Sequence, residues 1–207
     1  DREGNGWAVT PTPLRHGRRG ADALRGWAGA PDRRGRIYEE ERAEIEVALA
    51  PYKWYPQRAG RIDLVNPRAR ETGCFDDPVV RQEIAKLLVL AKSAEWTARR
   101  ARTAQEQGKP QGPEGSLGKL AASNVARAAA RVHTQISGAD ALLTGADGAL
   151  NGTIAEILVS VPATSIAGGT DEIQRNIIAE RVLNMPRDPS PDAGKPFRDV
   201  PRGARRG

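Results

Sequence analysis

Between Asp77 and Gly108 the apolar side chains return at steps of three and four residues: Val80, Ile84, Leu87, Leu88, Ala91, Ala94 and Ala98. That period belongs to the turn of an α-helix, whereas a half-buried strand would alternate. Asp77-Pro78 supplies both start signals, a side-chain acceptor at the N-cap and a proline at the first helical position. The spacing predicts a long amphipathic helix running to about Gly108. Gly108–Gly115 (Gly-Lys-Pro-Gln-Gly-Pro-Glu-Gly) is the clearest linker in the chain. A second helix is expected from Ser116, with Leu117, Leu120, Ala121, Val125, Ala128 and Val132 facing inward. Long amphipathic helices joined by short loops must double back to bury their stripes, so the expected class is all-α, an antiparallel helical bundle. No alternating strand pattern of useful length and no internal repeat interrupts this.

The remaining segments are less regular. A helix between Trp7 and Gly20 would be broken at Pro11 and Pro13. Residues 29–36 read as a loop, and Ile37 to Ala50 as a short acidic helix ended by Pro51. The cluster Tyr52-Lys53-Trp54-Tyr55-Pro56 either caps a core or meets a ligand. A glycine-containing loop from Gly138 to Gly148 precedes an apolar segment, Ile154 to Ile166, interrupted by Pro162. Everything beyond Pro186 is rich in proline, glycine and arginine.

At 207 residues the chain fits one domain, with or without irregular flanks. Its net charge of +6 is concentrated at residues 15–36 and after Met185. Lys195, Arg198, Arg202, Arg205 and Arg206 would attract nucleic acid or anionic lipid, but no aromatic platform or DNA-reading motif accompanies them. Residues 187–207 are therefore expected to be a disordered, solvated basic tail, with no nucleic-acid partner. The single cysteine, Cys74, excludes an internal disulfide framework. His16 and His133 have no ligand-spaced partners, so no metal site is expected. No apolar run approaches the roughly 20 residues that span a bilayer. The N-terminus lacks an initiator methionine and the apolar stretch of a signal peptide. A soluble, cytoplasmic and truncated protein is the expectation.

One further stretch is distinctive: Ala167-Gly168-Gly169-Thr170-Asp171-Glu172-Ile173-Gln174-Arg175-Asn176-Ile177-Ile178-Ala179-Glu180-Arg181-Val182-Leu183. In physical terms it is a loop entering a helix. The glycine pair permits unusual backbone angles, Thr170 is a good N-cap, and Asp171 and Glu172 stand where the helix dipole favours acids. Ile173, Ile177, Ile178 and Val182 are expected on one inward face. A glycine pair ahead of a helix also suits a phosphate, although two acids already occupy that end.

As an ordered run, this stretch closely resembles the C-terminal signature of the acyl-CoA dehydrogenases. Glu3-Gly4-Asn5-Gly6-Trp7 resembles the family's entry into its C-terminal helices. Gly112-Pro113-Glu114-Gly115-Ser116-Leu117, followed by Lys119-Leu120, resembles another recurring family stretch. The resemblance implies that residues 1–186 form the family's C-terminal domain, a four-helix up-and-down bundle, with 30–76 an irregular, insertion-like segment. It also implies that the family's N-terminal helical and middle β domains are missing. The activity implied is FAD-dependent α,β-dehydrogenation of an acyl-CoA thioester, whether fatty or steroid-like, with electrons passed on to an acceptor protein.

The same resemblance implies site residues. Gly169, Thr170 and Glu172 would touch FAD. Gln135-Ile136-Ser137-Gly138-Ala139 matches, at Gln135 and Gly138, a motif that reaches the FAD of a neighbouring subunit, while Gly138 reads equally as a helix C-cap. The family's catalytic base is a glutamate directly before the Gly-Thr pair, and here that position is Gly168. In one branch the base stands in the domain's first helix, where this chain has Gly17 within Leu14-Arg15-His16-Gly17-Arg18. Neither glycine takes a proton. The expectation is thus a chain working with other subunits of the family, one of which supplies the base, or an oligomerisation module that has lost flavin chemistry.

Overall fold

The computed structural model describes residues 35–36, 38–40, 42–43, 56–109, 112–187, 189 and 194–200. The chain divides into two units, Pro51–Pro186 and the two ends together, Asp1–Ala50 with Arg187–Gly207. The described part of the first unit holds five α-helices: α1 (Val65–Glu71), α2 (Pro78–Glu106), α3 (Glu114–Ser137), α4 (Thr153–Ser160) and α5 (Asp171–Arg181). Short 3-10 turns lie between them, and no strand occurs among the described residues.

The start of α2 follows from its capping chemistry. The Asp77 carboxylate accepts hydrogen bonds from the backbone N–H of Val79 at 2.7 Å and Val80 at 3.1 Å, with Pro78 in the first turn. Val80, Ile84 and Leu87 then bury against Ala128, Ala129, Val132 and Ile136. The first half of α2 thus meets the second half of α3, which makes the pair antiparallel. Val65 and Ala69 of α1 complete this cluster, with Ile62, Cys74, Phe75 and Val125 packed around it. Each fully buried aliphatic side chain contributes roughly 1.5–3 kcal/mol. On the opposite side of α3, Ala126 and Ala130 meet Ala141, Ala149, Ile154, Ile157 and Val161. α3 is therefore the central helix, and its alanines let neighbours approach from both sides.

The second half of α2 departs from the stripe expected of it. Leu88 and Ala98 are exposed and Ala91 and Ala94 half-buried, because α1 and its flanking turns cover only the first half. α3 begins at Glu114, two residues before the expected start, and Leu117 is exposed. It ends at Gly138, whose φ of 59° closes the helix while its N–H donates to the carbonyl of Thr134. The apolar segment Ile154–Ile166 is α4 followed by a 3-10 turn, Val161–Ser165, with Pro162 at the switch.

Residues Pro56–Asp76, set apart from the sequence as insertion-like, are built into the bundle. Gly60 approaches α3 so closely that a Cβ there would lie 2.7 Å from the carbonyl oxygen of Ala126 and 2.8 Å from its Cα, at a φ of +75°. Next to it, the fully buried His133 places Nε2 3.1 Å from the carbonyl oxygens of both Gly60 and Arg61. Both carbonyls can only accept, so Nε2 carries a proton and donates to them. Burial pushes its pKa down, against the opposing pull of those two carbonyls and the Asp63 carboxylate.

In the other unit, Arg36, Tyr38–Glu40, Arg42 and Ala43 have helical backbone, and Arg36 Nε pairs with Glu40 Oε1 at 2.8 Å. Within the tail expected to be disordered, Phe197–Asp199 forms a 3-10 turn. His16, Gly17, the proline-interrupted stretch from Trp7 to Gly20 and the aromatics Tyr52–Tyr55 lie outside the described residues. Among those described, no helix is long and apolar enough to cross a membrane.

Candidate cofactor-contact site

Thr170 caps α5 as its sequence position predicts. Its backbone is extended (φ −63°, ψ 161°), and Oγ1 accepts from the N–H of Ile173 at 3.2 Å. The preceding glycines are both left-handed, at φ 71° for Gly168 and 92° for Gly169. Gly168 is exposed, and nothing lies within 4 Å of where its Cβ would stand. Gln174, a residue the sequence reading passed over, folds back beneath the turn: Nε2 donates to the carbonyl of Gly168 at 3.2 Å. The same atom would sit 2.7 Å from a Cβ on Gly169, so the amide fills the space a larger residue would need.

The two acids of the first turn have opposite fates. Glu172 is exposed and pairs with Arg175 at 3.4 Å. Asp171 is only 1% exposed. Lys119 Nζ lies 3.0 Å from its Oδ1 and Arg127 Nη2 3.1 Å from its Oδ2. Burial disfavours the charged carboxylate, but the nearby Ser123 and Ser165 hydroxyls and the hydrogen-bonded Lys119 ammonium outweigh it, so its pKa is lowered. A carboxylate already ionised and held by two cations is a poor proton acceptor, which rules against Asp171 as a replacement base.

The expected inward stripe of this helix requires correction. Asp171 and Gln174 are its buried residues, whereas Ile173 is 50% and Val182 45% exposed and Ile177 and Ile178 are half-buried. α5 docks on α3 through the polar contacts of its first turn, which rotates the isoleucines away from the core.

Gln135 and Gly138 are exposed at the far end of α3. At about 1.5 Å per residue, Gln135 stands roughly 24 Å along the axis from Lys119, which grips the start of α5. The structure therefore does not bring Gln135 and Gly138 together with Gly169, Thr170 and Glu172. They form two separate sets on one subunit. Among the described residues no group of three metal-ligating side chains converges.

A family model described as acyl-CoA dehydrogenase, C-terminal domain, matches residues 62–183, more than half of the chain. The chain belongs to the acyl-CoA dehydrogenase family. Acyl-CoA dehydrogenase IpdE1 of Mycobacterium tuberculosis is 31% identical over 126 residues, covering 58% of this chain and 30% of that protein. Its namesake from Mycolicibacterium smegmatis is 33% identical over 126 residues, covering 58% of this chain and 29% of that one. This acyl-CoA dehydrogenase domain thus spans less than a third of the relatives' length. Among solved structures, the Tcur3481-Tcur3483 steroid ACAD superposes with a TM-score of 0.57 at 20% identity, covering 71% of this chain and 38% of that one. The ChsE4-ChsE5 complex from Mycobacterium tuberculosis gives 0.55 at 22%, covering 73% and 40%. At such identities the likeness establishes the all-α fold of the acyl-CoA dehydrogenase C-terminal domain.

Proposed function

We propose that this chain is the C-terminal helical part of an FAD-dependent acyl-CoA dehydrogenase, acting on an acyl-CoA thioester together with other subunits of the family. The observation that carries the proposal is the Gly168-Gly169-Thr170 turn, set by a Thr170 cap and a Gln174 brace at the head of the family's signature helix. The residues present fit a partial flavin contact. The turn faces open space at Gly168, and Lys119 and Arg127 outweigh the single charge of Asp171 beside it. Gly169, Thr170 and Glu172 would hold the cofactor of one site, and Gln135 and Gly138 that of a neighbouring subunit. FAD, when bound, accepts the hydride leaving the β-carbon of the acyl chain, and a separate protein acceptor takes the electrons onward.

Removal of the α-proton falls to another chain. The family's base position is Gly168, which has no side chain, and Asp171 is locked in its ion pairs. Apolar residues left uncovered on α2 and beyond α5, among them Val89, Trp96, Leu183 and Met185, support association with partner subunits.

The test is the visible spectrum of the purified chain after incubation with FAD and desalting, alone and co-expressed with a family subunit bearing the glutamate. Retained flavin bands are expected, weakened in Thr170→Ala, with dehydrogenation of fatty or steroid-side-chain thioesters only in the pair. A folded protein that stays colourless in every pairing favours the second reading, an oligomerisation module without flavin chemistry, for which the missing side chain at Gly168 is the motivating observation.

A further inference from the structure

The stretch around Lys119 and the signature stretch at 167–183 are far apart in sequence, and the structure joins them at one buried carboxylate. We infer that Asp171 is a positioning residue: clamped between Lys119 and Arg127 of α3, it fixes the Gly168–Thr170 turn in place. That the turn contacts flavin rests on the function proposed above, while the clamp itself does not.

Lys119 orients the carboxylate through a hydrogen bond to Oδ1, and Arg127 sets a second positive charge against Oδ2, which makes no hydrogen bond. Each oxygen has its own cation, Lys119 Nζ at 3.0 Å from Oδ1 and Arg127 Nη2 at 3.1 Å from Oδ2. Both cations are themselves held. Arg127 Nη2 donates to Asn124 Oδ1 at 2.7 Å, and Lys119 Nζ donates to Ser123 Oγ at 3.3 Å. Ser123 Oγ in turn donates to the carbonyl of Thr164 at 3.1 Å. The segment from Ser165 to Thr170 is therefore tied at both ends to the same face of α3, through Thr164 at its entry and Asp171 at its exit. Between the ties stand two left-handed glycines, the residues least able to hold a conformation by themselves.

A helix-dipole role alone does not explain this arrangement. An acid in a first helical turn is favourable at the surface, as Glu172 is, and needs no burial or paired cations. Nor is stability a sufficient reason, because a buried ion cluster is often no more stabilising than well-packed apolar residues of the same volume. What the cluster supplies is direction: a charge with two fixed counter-charges has one place to sit.

The experiment is hydrogen exchange of the 207-residue chain, read peptide by peptide for wild type, Asp171→Asn and Lys119→Met, with flavin retention measured on the same samples. Exchange at the hydrogen-bonded Ile166 and Ala167 amides, at the entry to the turn, should rise by about tenfold or more in both variants, the scale on which local opening responds to loss of a buried ion pair, while the Val80–Leu87 peptide stays protected. Retained FAD should fall in parallel. Unchanged exchange at those amides overturns the clamp, and so does a rise spread evenly over the bundle, which would mark Asp171 as a general core residue. A loosened turn with flavin retention intact leaves the clamp standing and removes its link to the cofactor. A wild-type chain that retains no flavin defeats the flavin reading alone, since the exchange data still decide the clamp.

Discussion

Replacing Gly60 with alanine adds one methyl group where the bundle has no room for it. Two contributions are separable. A non-glycine residue at φ +75° costs about 1–2 kcal/mol in backbone strain. The new Cβ would also stand 2.7 Å from the Ala126 oxygen, 2.8 Å from its Cα and 3.0 Å from the Ala129 Cβ. The first two are backbone atoms of a central helix and cannot rotate aside, so overpacking adds roughly 1–3 kcal/mol. The expected loss is roughly 2–5 kcal/mol, a large share of the ~5–15 kcal/mol that holds a typical domain together. Gly73→Ala is the internal control, because Gly73 has a φ of +74° and nothing within 4 Å of its missing Cβ. It should lose only the strain, and the effect of alanine on the unfolded chain is common to both variants and cancels. Urea titration followed by helical circular dichroism measures the difference. With m-values of about 1–3 kcal/mol per molar, the Gly60→Ala midpoint should lie on the order of 1 M below that of Gly73→Ala. Equal midpoints would refute the close approach of the Gly60 turn to α3.

Two other outcomes follow from single contacts. Asp77→Ala removes the acceptor for the Val79 and Val80 N–H groups and should destabilise by about 0.5–2 kcal/mol, most of it regained in Asp77→Ser, again read by urea midpoint. His133 has a folded-state pKa below the ordinary imidazole value, so the unfolded chain binds a proton that the folded chain refuses. Its contribution is present above about pH 6.5 and is lost as pH falls below it. The melting temperature should therefore drop from about pH 7.5 to 5.5 in wild type, and less steeply in His133→Gln, whose amide can still donate to a carbonyl. Parallel pH profiles would show that the ring is not buried neutral.

Where local chemistry decides structure, the sequence was sufficient. Asp77-Pro78 opening α2, Thr170 capping α5 and Gly138 closing α3 are all decided within four residues of chain, and each stands as expected. Where a distant partner decides, it was not. His133 is fixed by carbonyls 72 and 73 residues away, and Asp171 is drawn inside by a lysine 52 residues upstream. An acid at a helix start reads as a surface residue unless its counter-charges are known. Periodicity also shows that a helix has an apolar side without showing whether a neighbour covers it, which is why Ile173 and Val182 face outward. The turns of Pro56–Asp76 are too short to display a 3.6-residue repeat, and α1 buries only Val65 and Ala69 among its arginines.

The run of alanines in α3 has a consequence for how the chain can vary. Ala126, Ala128, Ala129 and Ala130 fall in little more than one helical turn, and all four are buried although they point in different directions. An ordinary amphipathic helix tolerates bulk at three or four of every seven positions. Only Arg127 is exposed within this turn, so a saturation scan should find intolerance at 126 and 128–130 with a single open position between them. Drift along α3 is thereby expected to concentrate toward its ends, outside residues 126–130.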